Sequence, residues 1–253
     1  MRFAILAARL ALAALLPAAA IAAAAVVAVR AGMASFAVGL EMMAASVALA
    51  AIALLLSAIW MASALRHNRG DAKRVGMITF FGALLLLYVP LHTVYQGLMA
   101  PPIHDATTDP EDPPRFVALA KRPSGQNATA FDPSRMIHYR GEYNTVSYML
   151  HTYYTELTKP LALIMPPAKM FWRCFNAAKR MGWHIVDYNE KEGRIEATAT
   201  SFWFGQVSDI VIRVRPAGTL GARFDMRAES ETGARDFGRN LELLKSYRAK
   251  LGS

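Results

Sequence analysis

The residues best suited to chemistry are a histidine and two aspartates, His104, Asp105 and Asp236. Such groups could act as acid and base in a hydrolase, but they lie in unrelated segments that only a fold can bring together. The chain lacks a Gly-X-Ser-X-Gly elbow, a His-Glu-X-X-His pair, a phosphate-binding loop and a dinucleotide fingerprint. We therefore predict no catalytic residue and no cofactor, and a hydrolase with an unrecognised site is kept as an alternative.

Metal and thiol chemistry have little support in the sequence. Residues 104–112 contain a histidine and four acids, but their spacing is not that of a calcium loop. We predict no metal site there. The single cysteine, Cys174, excludes an intrachain disulfide, and it falls on the apolar side of a predicted helix. A buried thiol is the usual outcome at such a position.

Three apolar segments stand in the first hundred residues, at about 3–29, 36–65 and 75–98. Each is long enough to cross a hydrocarbon layer about 30 Å thick, which takes roughly 20 helical residues. Residues 1–100 are thus predicted to be a transmembrane anchor. The first segment, which follows Arg2, also resembles a signal peptide. Its length favours a retained helix, and cleavage would leave the same final topology.

The distribution of charge predicts how the anchor is oriented. The net charge is +9, and a dense basic cluster at residues 66–74 separates the second span from the third. Basic loops stay in the cytoplasm. We therefore expect a bacterial inner (plasma) membrane protein with a cytoplasmic N-terminus and a periplasmic C-terminal domain. The rest of the chain has no run of like charges, so no nucleic-acid partner is expected.

Two ionisable residues lie inside the predicted spans. Glu41 is near the outer end of the second span and His92 near the outer end of the third. Since these helices run in opposite directions, the two side chains are expected at similar depth and could pair. Charged groups in membrane helices are often functional. The alternative is that both lie close enough to the interface to be hydrated.

The second half of the chain predicts a connector and one folded domain. Residues 101–114 read PPIHDATTDPEDPP, whose five prolines exclude a regular helix or a central strand. Within 115–253, a helix is predicted between Pro166 and Gly182, and four strands and a last helix at about 236–251 follow it. This order predicts an α+β fold with an antiparallel four-stranded sheet packed by two or more helices on one face.

The other face of the predicted sheet is polar. It carries Arg213, Arg215, Arg223 and Arg227 beside several acids. Cross-strand ion pairs account for such a face. The alternative is a basic surface for an anionic envelope component, such as a lipid headgroup.

Aromatic residues of the domain could line an apolar pocket. Filling the core is the alternative, and it is the more usual role of aromatic side chains. The candidate pocket residues are Phe171, Trp172, Trp183, Trp203 and Phe204.

Several segments resemble the DUF1499 family of proteins of unknown function. They are HDATTDPEDPPRF (104–116), GRIEATATSFWFG (193–205), DIVIRVRP (209–216), FDMRAES (224–230) and DFGRN (236–240). The resemblance covers about residues 103–250. It departs at Glu231, where the family has arginine, and at Ser208-Asp209, where the family has two aspartates. The family implies no activity that could be transferred.

The resemblance implies a candidate functional polar cluster whose members come from these segments. They are His104, Asp105, Asp109, Arg213, Arg227, Ser230, Asp236 and Asn240. As the function, we expect a non-catalytic envelope module that binds a lipid or another small apolar or anionic ligand. The expected partners are the lipid bilayer and a lipid or an envelope protein. A protein–protein interaction or structural module is the alternative.

Overall fold

The structure is a computed structural model that describes residues 2–66, 70–120, 127, 130–159, 161–233 and 235–252. Part of the predicted basic loop, residues 67–69, lies outside the described residues. The chain divides into two compact units. The first contains Met1–Tyr95 and Phe202–Gly205, and the second contains Gln96–Ser201 and Gln206–Ser253.

The first unit is built on long apolar helices. They are α1 (Arg2–Arg30), α2 (Phe36–Arg66) and α3 (Gly70–Met99), the last of which ends in the second unit. In the described part of the chain, three stretches are long and apolar enough to cross a membrane: Arg9–Arg30, Phe36–Arg66 and Arg74–Met99. The prediction of three helices that could span a membrane is therefore confirmed.

Small residues let α1 and α2 pack closely. The buried positions of α2 include Gly39, Ser46 and Ala50, and Ala18 of α1 is fully buried. Small side chains allow helix backbones to approach in a membrane, where the hydrophobic effect does not drive association. The Ser46 hydroxyl donates a hydrogen bond of 2.7 Å to the carbonyl oxygen of Ala18, which joins the two helices.

The second unit is an α+β domain, as predicted. Its described residues form an antiparallel six-stranded sheet in the order β1-β8-β7-β6-β5, with β4 also pairing with β8, and a separate hairpin of β2 and β3. The strands are β1 (Asp105–Thr107), β2 (Met136–Tyr139), β3 (Glu142–Thr145), β4 (Leu161–Leu163), β5 (His184–Asn189), β6 (Arg194–Thr200), β7 (Val207–Ala217) and β8 (Gly221–Ser230). The helices are α4 (Val146–Tyr153), α5 (Thr155–Thr158), α6 (Pro167–Arg180) and α7 (Arg239–Gly252).

The four predicted strands are β5 to β8, and the sheet gains two more. Both β1 and β4 have three residues, which is too short to show an alternating pattern. The connector thus supplies a strand, β1, at one edge of the sheet, where its prolines stay outside the hydrogen-bonded positions.

Helices α6 and α7 cover one face of the sheet. Phe171 and Cys174 of α6 and Leu244 and Tyr247 of α7 are at most 1% exposed. Tyr247 donates a 2.7 Å hydrogen bond to the carbonyl oxygen of Cys174, which joins the helices. The last helix starts later than the predicted residue 236: α7 begins at Arg239, and Phe237 precedes it with φ +54° and is 43% exposed.

The opposite face is polar, as predicted, but it is covered. Glu196, with no exposed surface, accepts hydrogen bonds from the backbone N–H groups of residues 117–119 at 2.8–3.2 Å. A buried carboxylate needs such partners. The segment after the connector is therefore bound across the sheet.

Candidate functional site

Arg227 on β8 lies at the centre of a buried ionic network. Its Nε and Nη2 donate to the two carboxylate oxygens of Asp105 at 2.8 and 2.7 Å, and Nη2 lies 3.1 Å from a carboxylate oxygen of Glu229. The guanidinium also lies 5.0 Å from the ring centre of Phe116 and 5.6 Å from that of Phe131. Two parallel bonds between arginine and a carboxylate are strong and directional. They hold β1 in register on β8.

A further buried carboxylate lies beside Glu229. Asp209 on β7 stands opposite Glu229 on β8, and neither has exposed surface. Buried carboxylates are tolerated when they are paired or hydrogen-bonded, and Arg227 supplies positive charge here. Among the described residues, no group of three or more histidine, cysteine or acidic side chains is arranged to hold a metal ion.

A second part of the predicted cluster ties the connector to α7. The carbonyl oxygen of His104 accepts hydrogen bonds from Ser230 N at 2.9 Å and from Asn240 Nδ2 at 2.7 Å. Asn240 Nδ2 also lies 3.1 Å from the Ser230 hydroxyl. Since an arginine can only donate, the 3.1 Å contact from Arg135 Nη1 makes His104 Nδ1 an acceptor. These contacts join β1, β8 and the first turn of α7.

Asp236 caps the N-terminus of α7. Its carboxylate accepts hydrogen bonds from Gly238 N at 2.8 Å and from Asn240 N at 2.7 Å. Such capping satisfies backbone N–H groups that the helix leaves without a partner. Burial nevertheless raises the pKa of Asp236 to about 6, because the ionised form loses its hydration.

This pKa predicts a pH dependence that Asp236→Asn should remove. The folded-state pKa of Asp236 lies above the ordinary value of 3.8, so the folded chain binds this proton more tightly than the unfolded chain. Its contribution to stability grows as the pH falls from 7 to 4 and is lost as the pH rises through about 6. The change amounts to at most about 3 kcal/mol.

Urea unfolding of the wild type and D236N between pH 4 and pH 8 measures it. The variant should lose part of the helix cap at every pH, and its free energy of unfolding should depend less on pH. Parallel pH profiles of wild type and variant would contradict the raised pKa of Asp236.

The last two members of the predicted cluster, Asp109 and Arg213, belong to a network of arginines and aspartates. Arg215 lies 2.7 Å from Asp225, 3.1 Å from Asp109 and 2.5 Å from Asp112. Arg213 and Arg223 reach members of the same acidic set at 3.2–3.6 Å. The bond from Arg215 lowers the pKa of Asp112, whereas burial raises the pKa of Asp225. Two aspartates of the connector therefore pair with the arginine-rich face.

The structure does not gather the five candidate pocket aromatics in one unit. Phe171 and Trp183 are core residues, at 1% and 7% exposure, and Trp172 is 40% exposed. Trp203 and Phe204 belong to the first unit. A groove of about 410 Å³ in the second unit is lined by other residues, at 164–167 and in the β7–β8 turn.

The intramembrane pair is also not formed. Glu41 and His92 are both exposed on their helices, and the described part of the structure records no ion pair between them. The ring of His92 instead stacks on Tyr88, with centroids 5.4 Å apart.

The predicted cluster omits some residues that complete the network. Glu229 is two positions from Arg227, so period-two alternation places both on one face of β8 and could have identified it. Phe116, Phe131 and Arg135 come from a segment without periodicity. Nothing in their spacing indicates that they pack around Arg227 or His104.

Comparison with known proteins agrees with the resemblance seen in the sequence. Residues 105–251 match a family described as "Protein of unknown function (DUF1499)". No curated protein matches the chain. The matched region starts at Asp105, the partner of Arg227, and extends to Leu251 in the last turn of α7. It covers more than half of the 253 residues, and the chain therefore belongs to the DUF1499 family.

Proposed function

We propose that this protein is a non-catalytic, membrane-anchored module that binds lipid at the periplasmic surface of a bacterial inner membrane. The observation that carries the proposal is a pair of hydrogen bonds from domain residues to the last turn of α3. The Tyr139 hydroxyl donates a hydrogen bond to the carbonyl oxygen of Met99, and Arg235 Nη2 donates one of 3.2 Å to that of Gly97. A domain fastened to the last turn of a membrane span works next to lipid.

The short link between α3 and β1 supports the same location. The end of α3 at Met99 and the start of β1 at Asp105 are separated by five residues, which extend to at most about 20 Å. The basic stretch at residues 66–74 supports the periplasmic side, because basic loops stay in the cytoplasm.

The polar residues that are buried and bonded within the fold support a role without catalysis. A catalytic group must touch its substrate, yet Arg227, Asp236 and Asn240 are at most 8% exposed and are bonded to elements of the fold. The thiol of Cys174 is buried, and burial raises its pKa to about 12. It therefore stays protonated and unreactive at neutral pH.

Apolar contact with lipid is favoured over an anionic ligand on the arginine-rich face. An anion there would have to displace Asp109 and Asp112, which already pair with Arg215. Exchanging one anion for another gains little in affinity.

A protein-interaction module is the second candidate. Strand β5 stands at an edge of the sheet, and its Val186 and Tyr188 are 42% and 50% exposed. An exposed edge can add a strand from a partner. The register irregularity between Ile185 and Asp187 interrupts this edge, which makes it the weaker candidate.

Lipid analysis of the purified full chain tests the proposal. We expect mass spectrometry to find one lipid class enriched over the bulk membrane extract. A chain that ends at Ala100 and lacks the domain is the control, and it should lose the enrichment. Equal lipid composition in the two preparations would contradict lipid binding by the domain.

A further inference from the structure

The β6–β7 loop presents three successive aromatic residues. Phe202, Trp203 and Phe204 belong to the same compact unit as the membrane helices. Phe202 is 78% exposed and Trp203 is 45% exposed. Adjacent large apolar side chains on a surface mark an interaction site rather than an ordinary solvated loop.

Contacts with two membrane helices hold this loop in place. Phe204 packs edge-to-face on Phe36, with ring centroids 5.5 Å apart. Arg30 Nη1 donates a 2.6 Å hydrogen bond to the carbonyl oxygen of Phe202. Arg30 is the last residue of α1 and Phe36 the first of α2. The loop therefore lies level with the ends of two spans.

Hydrogen bonds at its base fix the conformation of the loop. Ser201 N donates to the carbonyl oxygen of Gln206 at 2.8 Å, and Gln206 N donates to the Ser201 hydroxyl at 2.8 Å. Gly205 adopts φ +65°, a conformation that favours glycine. A closed turn thus presents the two exposed aromatic residues, Phe202 and Trp203.

The chemistry at this level matches the boundary between lipid and water. Tryptophan is enriched there because its ring is apolar while its N–H can meet polar groups. An arginine at the end of a span suits the same layer, because its stem packs on apolar groups while its charge stays hydrated or meets lipid phosphate.

We propose that Phe202 and Trp203 insert into the headgroup layer of the bilayer beside Arg30 and Phe36. The β6–β7 loop is then a membrane-contact site. This site deepens the lipid-binding proposal by naming a place of contact, and it holds whichever side of the membrane the loop faces.

Bromine quenching of tryptophan fluorescence tests the site. The full chain is reconstituted in phosphatidylcholine vesicles whose acyl chains carry bromine near the headgroup. The background variant is Trp60→Phe, because Trp60 lies in α2 and would itself report lipid. Bromine should quench part of the remaining emission, and adding Trp203→Phe should abolish most of that quenching.

The control is Trp183→Phe in the same background. Trp183 is a core residue, 7% exposed, and its ring stacks on that of Tyr247 with centroids 5.0 Å apart, so acyl chains do not contact it. Its replacement should leave the bromine quenching in place. Quenching that is absent from the background, that survives Trp203→Phe or that disappears with Trp183→Phe would overturn the site. Lipid enrichment on the domain would still be measured separately, so the two proposals can fail independently.

Discussion

Replacing Arg227 with methionine is expected to lower the free energy of unfolding by about 3–5 kcal/mol. The guanidinium is 1% exposed and makes two bonds to Asp105 and one contact with Glu229. Methionine keeps apolar contact with Phe116 but leaves buried carboxylates without their cation. Domains of this size are stable by about 5–15 kcal/mol, so the loss would take a large part of the total.

Thermal and urea unfolding of the full chain in detergent measures this loss. Lys245→Met is the matched control, because Lys245 pairs with Glu242 at 2.7 Å on the surface, where the side chains are 46% and 65% exposed. Exposed pairs contribute about 0–1 kcal/mol, so the control should unfold nearly as the wild type does.

The effect of Asp105→Asn on the free energy of unfolding should have opposite signs in the wild type and in R227M. Asp105→Asn should destabilise the wild type, because it weakens the bidentate pair with Arg227. In the R227M background it should stabilise, because it removes a buried charge that has lost its cation. If the double variant loses the sum of the two single losses in stability, Asp105 and Arg227 are not coupled. An R227M variant with unchanged stability would favour a chemical role for Arg227.

Alternation predicts the central strands because each has one apolar side. Ile195, Ala197 and Ala199 on β6 are at most 4% exposed, and the corresponding side chains of β7 and β8 are buried in the same core. The apolar stripes of α6 and α7 likewise predict the helices that cover them. These features are local, so period and composition suffice to find them.

The covered polar face could not be predicted in the same way. The alternation shows that Glu196 and Arg227 share a polar face, but not that each is fully or nearly fully buried. Their burial depends on residues 105 and 117–119, which are 77 or more positions away in the chain. Local periodicity contains no information on such pairings. The three-residue strands β1 and β4 likewise show no local pattern, since they form by pairing with distant β8.

Two departures from the family pattern lie close together in the structure. Ser208 stands opposite Ser230 in the β7–β8 ladder, and Glu231 follows Ser230. The resemblance to the family implies an acid at the first position and an arginine in place of Glu231. Both positions lie at one end of the ladder, where Arg239 Nε lies 3.4 Å from the Ser208 hydroxyl. The central pair of Asp105 and Arg227 is unaffected.

Replacing Gly193 with alanine is the second large effect expected. Gly193 precedes β6 with φ +67°, and a Cβ placed there would lie 2.1 Å from the carbonyl oxygen of Val214 on β7. Val214 N also donates a 2.7 Å hydrogen bond to the carbonyl oxygen of Gly193, so neither backbone can move away without breaking this bond. The left-handed conformation and the forced displacement together should cost about 2–5 kcal/mol.

Gly218 provides a control that separates these two causes. It has nearly the same φ, +64°, but a Cβ there would meet nothing within 4 Å. Gly218→Ala should therefore show the conformational cost alone, about 1–2 kcal/mol. Urea unfolding of the two variants compares them directly, and equal losses would contradict the close approach to Val214. If the losses differ as expected, the glycine that opens the segment GRIEATAT is required by the packing of the β5–β6 turn against β7, not by any chemistry at the site.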